Sequence, residues 1–158
     1  MPIIECIKKE FKEAVVDQCK GAKKNQKFNI FNNNKIKSHV ILSDEKLKEK
    51  LDITSKIPDC IIFIEGSQCL AIGIVELKSK DISKAEKQLL DGQEIVNEKI
   101  LKICSDNKER EYCFIIIADS WNSRIKHKIE QQKTINGNKV RCLTYKTNLT
   151  FCDICHCC

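Results

Sequence analysis

The sequence lacks any apolar run long enough to cross a membrane, which takes about 20 residues in a helix. It also lacks internal repeats, low-complexity segments and a linker that would divide the chain. These absences argue against a membrane protein, a repeat protein and an array of domains. We therefore predict one domain over residues 1–150, followed by a Cys-rich tail at residues 151–158.

A signal-peptide pattern is also absent, because residues 1–5 lead directly into an amphipathic segment. We therefore expect an intracellular protein, in the cytoplasm, nucleoid or nucleus. Eleven cysteines are many for such a protein, and five of them lie in apolar runs: Cys60, Cys69, Cys104, Cys113 and Cys142. Since a thiol packs as a small hydrophobic group, we expect core packing and no extracellular disulfide scaffold.

The bulk composition suits a globular protein with a real core, since 42% of the 158 residues are hydrophobic and 32% are charged. The formal net charge of +6 comes almost wholly from lysine. A positive surface is compatible with the phosphate backbone of a nucleic acid as partner. It is also compatible with lysines that are only solvated, so charge alone does not separate the two interpretations.

The hydrophobic pattern predicts the order helix, strands, helix, strand, helix, strand. Apolar residues recur every four positions over residues 3–20, which predicts a helix there that ends at Gly21. Further helices are expected at residues 44–51, 83–104 and 121–130, and strands at 28–31, 35–42, 57–64, 70–78, 112–118 and 140–145. This order favours an α/β fold with a mixed central sheet flanked by helices.

Ionisable residues stand at one end of two adjacent apolar strands. Pro58 and Asp59 open the first strand, and Glu76, Leu77 and Lys78 close the second. Side chains alternate along a strand, so Glu76 and Lys78 share a face, and a hairpin can bring Asp59 near them. Two carboxylates suit Mg²⁺, and a lysine beside them can position water, as hydrolysis of a phosphodiester requires.

This arrangement resembles the PD-(D/E)xK nuclease superfamily, which includes restriction enzymes, Holliday-junction resolvases and RecB-like exonucleases. The resemblance covers roughly residues 3–146, although its specific part is short. The tripeptides at residues 10–12 and 44–46 also fit [DE]-x-K, but neither closes a β-branched run. The resemblance implies a restriction-endonuclease-like core of the αβββαβ type and a Mg²⁺- or Mn²⁺-dependent endo- or exonuclease.

The resemblance also implies a role for each residue of the motif. Asp59 and Glu76 would bind the metal ion together with the carbonyl of Leu77, and Lys78 would contact the attacking water or the scissile phosphate. Two structural alternatives remain open. Asp59 could cap a turn after Pro58, and Glu76 could form only an ion pair with Lys78 at the sheet edge.

Two further site residues are implied by the resemblance, since members often add a Glu from the first helix and a Gln from the helix after the motif. Glu10 borders the apolar stripe about three turns before Gly21, so we expect it to be an accessory metal ligand, with Glu13 second. Gln88 would face the site. Residue 92 is Gly where RecB-like enzymes carry an aromatic residue, which argues against a RecB-like assignment. A surface salt bridge remains the alternative for Glu10, and a surface helix position the alternative for Gln88.

His39 lies upstream of Asp59, where some branches place a metal-binding histidine, although a structural histidine is the alternative. Several basic side chains could line a phosphate path or be merely solvated: Lys80, Lys84, Arg124 and Lys126.

The tail at residues 151–158 is dense in soft metal ligands. Cys152 and Cys155 have the C-x-x-C spacing that binds zinc or anchors an iron–sulfur cluster. Some RecB-like nucleases complete such a cluster with a cysteine of the N-terminal helix, which would here be Cys6 or Cys19. An oxidation-prone, disordered tail is the alternative.

The predicted function is therefore a metal-dependent nuclease whose partner is nucleic acid, DNA in preference to RNA, and not a membrane. Two alternatives are a non-catalytic nucleic-acid-binding or assembly module on the same fold, and a regulatory protein that binds metal through its Cys-rich tail. A homodimer is compatible with the resemblance. No recognition helix or zinc-finger spacing is visible, so the substrate structure stays open.

Overall fold

The computed structural model describes residues 1–21, 27–28, 38–66, 68–78, 84–131 and 140–144. The strands are β1 (Val15–Val16), β2 (Cys19–Lys20), β3 (Lys27–Phe28), β4 (His39–Ser43), β5 (Cys60–Glu65), β6 (Cys69–Lys78), β7 (Glu109–Ala118) and β8 (Val140–Thr144). The helices are α1 (Ile3–Glu10), α2 (Asp44–Leu51), α3 (Ala85–Ile95), α4 (Leu101–Ile103) and α5 (Ser123–Gln131). A 3₁₀ turn covers Lys12–Ala14, and a π-helical turn at Val96–Ile100 joins α3 to α4.

The centre of the fold is a mixed six-stranded sheet in the order β1–β4–β5–β6–β7–β8, which confirms the predicted α/β class. In this sheet the pairs β1–β4, β4–β5 and β5–β6 are antiparallel. β6, β7 and β8 run parallel, because helical crossovers connect them. The carboxyl ends of these three strands therefore lie along one edge of the sheet.

Alternating side chains give the sheet two buried faces. On one face, Ile61, Ile74 and Phe114 belong to a cluster that includes Ile7 of α1 and Leu89 of α3. On the opposite face, a second cluster contains Ile62, Val75, Leu77, Ile115 and Ile117. We call the first face the helical face. By the same alternation Asp59, Glu76 and Lys78 belong to it.

The first helix is shorter than its periodicity predicts. α1 ends at Glu10, and Val15 begins β1, where it pairs with Leu42 of β4. The β-branched pair Val15 and Val16 favours a strand over a helix. The predicted helix is therefore wrong beyond Glu10, and the spacing of Val15 and Cys19 reflects burial in strands.

The other predicted elements are confirmed with shifted ends. Residues 44–51 form α2, and the long helix predicted at 83–104 becomes α3, the π-helical turn and α4. β5 begins at Cys60 and not at Ile57, because Pro58 has no N–H to donate to a strand ladder. The predicted strand segments at 29–31 and 35–37, the helix start at Ser83 and the tail at 151–158 lie outside the described residues.

The cysteines correct an expectation. Disulfides join Cys6 to Cys104 and Cys19 to Cys60, so Cys60 and Cys104 do not pack as thiols. The same bonds remove Cys6 and Cys19 as ligands of a cluster. Cys113 and Cys142 are buried, as core packing predicts. The sequence concealed the pairs because 98 and 41 positions separate their members, and only the fold brings the Cα atoms to 5.7 and 5.9 Å.

Among the described residues, no helix combines the length and the apolar character needed to span a membrane.

Candidate functional site

Asp59 and Glu76 each accept a hydrogen bond from the backbone of the other's chain segment, at the point where β5 begins. The last antiparallel pair of the hairpin is Cys60 with Val75, and β6 continues to Lys78 because it also pairs with β7. The backbone N–H of Asp59 donates to Oε1 of Glu76 at 3.1 Å, and the backbone N–H of Leu77 donates to Oδ2 of Asp59 at 2.8 Å. Each carboxylate is therefore held by the backbone of the other strand.

Lys78 links this pair to helix α3. Its Nζ lies 3.1 Å from Oε2 of Glu76 and donates to Oε1 of Gln88 at 2.6 Å. Gln88 is only 4% exposed and Glu76 only 1%, so the interpretation of Gln88 as a surface residue is wrong. The structure thus brings together Asp59, Glu76, Lys78 and Gln88, four of the five predicted catalytic residues.

Close packing of α3 on the hairpin places Gln88 near Lys78. Gly92 follows Gln88 by one helical turn, and a Cβ added to it would lie 2.4 Å from Cγ of Pro58 and 2.8 Å from Cγ2 of Ile74. These distances are shorter than carbon atoms tolerate, so only glycine allows this approach. The aromatic residue expected here in RecB-like enzymes would not fit without moving the helix.

The electrostatics of the site centre on Glu76. Burial, and secondly the neighbouring charge of Asp59, raise the pKa of Glu76 from 4.5 to about 7, although Lys78 acts in the opposite direction. A divalent cation between the two carboxylates would offset both the burial of the Glu76 charge and its repulsion by Asp59. Hard oxygen donors are the ligands that Mg²⁺ and Mn²⁺ take, so the chemistry of this pair fits such an ion.

Glu10 is not brought to this pair. Glu10 is the last residue of α1. Together with Glu13 it lines one side of a groove, and Lys46, Glu49 and Lys50 of α2 line the other side. Across the described ranges, no three His, Cys, Asp or Glu residues are arranged to hold a metal ion. The described geometry therefore gives no support to Glu10 as an accessory ligand, which stays a prediction, and α1 ends at Glu10 before it reaches Gly21.

His39 is at the far end of the hairpin from Asp59. It pairs with Ile64 of β5, whereas Asp59 precedes Cys60. At roughly 3.4 Å per strand residue, this separation exceeds the reach of a shared metal ion. Burial and the charge of Lys8 lower the pKa of His39. His39 therefore does not share a metal ion with Asp59, and its structural role stays a prediction.

The predicted phosphate path is only partly described. Lys84 and Arg124 are exposed and Lys126 is half-buried, whereas Lys80 and the proposed zinc or cluster ligands Cys152 and Cys155 lie outside the described residues.

Sequence reasoning missed the residues where β7 and β8 end. Ala118 pairs with Lys78, and Thr144 pairs with Ala118. Beyond Ala118, Nε1 of Trp121 donates to the carbonyl of Leu143 at 2.6 Å. The signal available was topological: three parallel strands end along one edge, which is where α/β sheets usually bind ligands.

Comparison of the chain with protein-family models, curated proteins and solved structures finds no match.

Proposed function

We propose that this protein is a metal-dependent nuclease with a PD-(D/E)xK-like core, which hydrolyses phosphodiester bonds of nucleic acid, DNA in preference to RNA. The reciprocal hydrogen bonds of Asp59 and Glu76, beside Lys78, are the observation that carries the proposal. The chain order α1, β4–β5–β6, α3, β7 agrees with the αβββαβ core that the motif implies, with α2 between β4 and β5.

Asp59, Glu76 and the carbonyl of Leu77 would hold a Mg²⁺ or Mn²⁺ ion. When bound, such an ion polarises a phosphodiester and lowers the pKa of a coordinated water. Asp59 and Glu76 are already held by backbone N–H groups, so little reorganisation is needed to present their oxygens. Leu77 orients its carbonyl because its side chain is buried in the cluster opposite the helical face.

Lys78 would stabilise the negative charge that develops on the phosphate. Glu76 and Gln88 fix its ammonium at 3.1 and 2.6 Å, and its side chain is 14% exposed, so it can meet a ligand at the surface. A charge held in place in a partly buried site stabilises a transition state more than a mobile surface charge does. Gln88 acts as a positioning residue for this lysine.

The test uses labelled DNA and RNA as single strands, duplexes, nicked duplexes and junctions, each with Mg²⁺, Mn²⁺ or EDTA. We expect Glu76→Gln and Lys78→Ala to lower the cleavage rate about 100-fold or more, while circular dichroism shows an intact fold. Unchanged cleavage by both variants would remove the assignment.

Lys108→Ala is the matched control. Lys108 forms a partly buried ion pair with Glu65 at 2.7 Å, at the opposite end of the same hairpin. This variant removes a comparable ion pair without touching Asp59, Glu76 or Lys78, so it should keep the wild-type cleavage rate. Equal losses in Lys108→Ala and Lys78→Ala would point to a general effect on the fold.

A second candidate is a non-catalytic nucleic-acid-binding module on the same fold. It is favoured by the absence, within the part of the chain that the structure describes, of a third carboxylate arranged with Asp59 and Glu76 to hold a metal. Binding that persists in EDTA, without cleavage in Mg²⁺ or Mn²⁺, would select this candidate. The third candidate, metal regulation through the tail, predicts loss of bound metal when residues 152–158 are deleted.

A further inference from the structure

A row of residues leads from Lys78 across the edge of the sheet. Lys78 of β6 pairs with Ala118 of β7, which pairs with Thr144 of β8. Ala118 is fully buried and small, so it adds no bulk between Lys78 and the end of β8. Neighbouring strands lie about 4.8 Å apart, which puts the end of β8 roughly 10 Å from Lys78.

Trp121 is fixed beside the end of this row. Its indole N–H donates to the carbonyl of Leu143 at 2.6 Å, and its ring packs against the cluster on the helical face. Lys78 and Glu76 project from that same face. Trp121 is only half-buried. Because its N–H is already used, the exposed part of the ring offers a ligand its carbon surface.

The chain around Trp121 is more basic than acidic. Residues 119–128 contain Arg124, Lys126 and Lys128 but one acidic residue, Asp119. Arg124 and Lys128 are exposed on α5. An aromatic ring beside cationic side chains is the combination with which proteins bind single-stranded nucleic acid, where the ring stacks on a base and the cations contact phosphates.

We propose that Trp121 stacks on an unpaired base of a nucleic-acid strand whose phosphodiester lies beside Lys78. The position of the phosphodiester rests on the proposed nuclease function, whereas the stacking does not require cleavage. A base inside a duplex is covered on both faces by its neighbours, so the substrate class is a single strand, an overhang or a splayed end. Trp121 would then determine specificity for strand structure and not for sequence.

Intrinsic fluorescence tests this proposal directly, because Trp121 is the single tryptophan of the chain. The full-length protein in EDTA is titrated with a single-stranded oligodeoxynucleotide, the matching oligoribonucleotide and a blunt duplex of the same sequence. We expect saturable quenching by a single strand and clearly weaker quenching by the duplex. The DNA and RNA arms show which sugar the strand carries.

Two variants separate stacking from a structural role. Trp121→Phe keeps an aromatic ring but loses the hydrogen bond to Leu143, whereas Trp121→Leu loses both. We expect Trp121→Phe to keep nearly all of its affinity for a labelled single strand, measured by anisotropy, and Trp121→Leu to lose about 5- to 150-fold. Equal losses in the two variants would overturn the proposal.

Different results would disprove the proposed nuclease activity and the proposed stacking of Trp121 on an unpaired base. Quenching without metal-dependent cleavage would keep the stacking site and remove the nuclease assignment. Cleavage without quenching, or equal quenching by the duplex, would keep the nuclease and remove the unpaired-base site. Should Trp121→Leu fail to fold, the titration of the wild-type protein still decides the outcome.

Discussion

A buried carboxyl group usually costs a protein more free energy than it contributes unless it is paired and hydrogen-bonded. Glu76 is 1% exposed, accepts the N–H of Asp59 and lies beside Lys78. These partners do not cancel its burial, because the pKa of Glu76 stays raised at about 7. The described partners of Glu76 therefore do not fully offset the cost of burying its charge.

This raised pKa makes stability depend on pH in a defined direction. Between pH 4.5 and about 7 the folded state holds a proton on Glu76 that the unfolded state has lost, so stability falls as pH rises through this range. At about 1.4 kcal/mol per pH unit, the loss attributable to Glu76 is up to about 3 kcal/mol. Urea unfolding from pH 4 to pH 8 measures it.

Glu76→Gln is the matched comparison, because the amide keeps the size and the acceptor oxygen but does not titrate as an acid. As pH rises from 5 to 8, the unfolding free energy of the wild type should fall relative to that of Glu76→Gln. A difference that stays constant, or grows in favour of the wild type, would show that the Glu76 pKa is not raised.

At the scale of the elements, the site depends on how closely α3 approaches the hairpin of β5 and β6. Gly92 provides that approach, since the helix contacts Pro58 and Ile74 at this point. Gln88, one turn earlier, thereby reaches Lys78. Pro58 lacks a backbone N–H, which limits the β5 ladder, and Gly92 lacks a Cβ, which allows the close approach of α3. These two properties together determine the geometry of the site.

We expect Gly92→Ala to destabilise the protein by about 1–3 kcal/mol through overpacking. Alanine gains up to about 1 kcal/mol over glycine from helix propensity, but its Cβ would lie 2.4 Å from the Pro58 ring, which cannot move aside as a flexible side chain can. Urea unfolding measures the effect, and weaker oligonucleotide cleavage should accompany it because Gln88 is displaced.

Glu94→Ala is the control for Gly92→Ala. Glu94 is exposed on the same helix, so this change alters propensity without creating a clash. It should leave stability within about 0.5 kcal/mol of the wild type. If Gly92→Ala proved as stable as the wild type, helix propensity would outweigh the clash and the contact with Pro58 would not limit the approach of α3.

Most elements could be predicted because their patterns are local. The apolar run at 70–78 and the charged helix at 44–51 are both present. The end of α1 could not be predicted, because Val15 continues the helical spacing while its pairing with Leu42 of β4 is a long-range contact. The position of Glu10 could not be predicted for that reason, whereas Asp59 and Glu76 follow from a hairpin that local sequence determines.

At the scale of the whole molecule, the two disulfides found among the described residues connect the N-terminal segment to later elements. Cys6 of α1 is bonded to Cys104 just after α4, and Cys19 of β2 to Cys60, the residue after Asp59. Their partners are distant in sequence, so spacing alone could not reveal them. Such bonds are typical of oxidising compartments. They do not support the expected intracellular location, which stays a prediction.

Each disulfide should contribute to stability by closing a loop in the unfolded chain. For the 41 positions between Cys19 and Cys60, the chain-entropy relation gives about 4 kcal/mol, a large share of the roughly 5–15 kcal/mol total for a domain. We therefore expect the double variant Cys19→Ala/Cys60→Ala to unfold at a much lower urea concentration. Cys69→Ala, at a cysteine outside both disulfides, should unfold close to the wild type.

A reducing agent should destabilise the wild type at least as much as the double substitution does, because it also opens Cys6–Cys104. Peptide mapping without reduction checks the pairs directly, and the absence of linked peptides containing Cys19 and Cys60 would refute this account of the fold's stability.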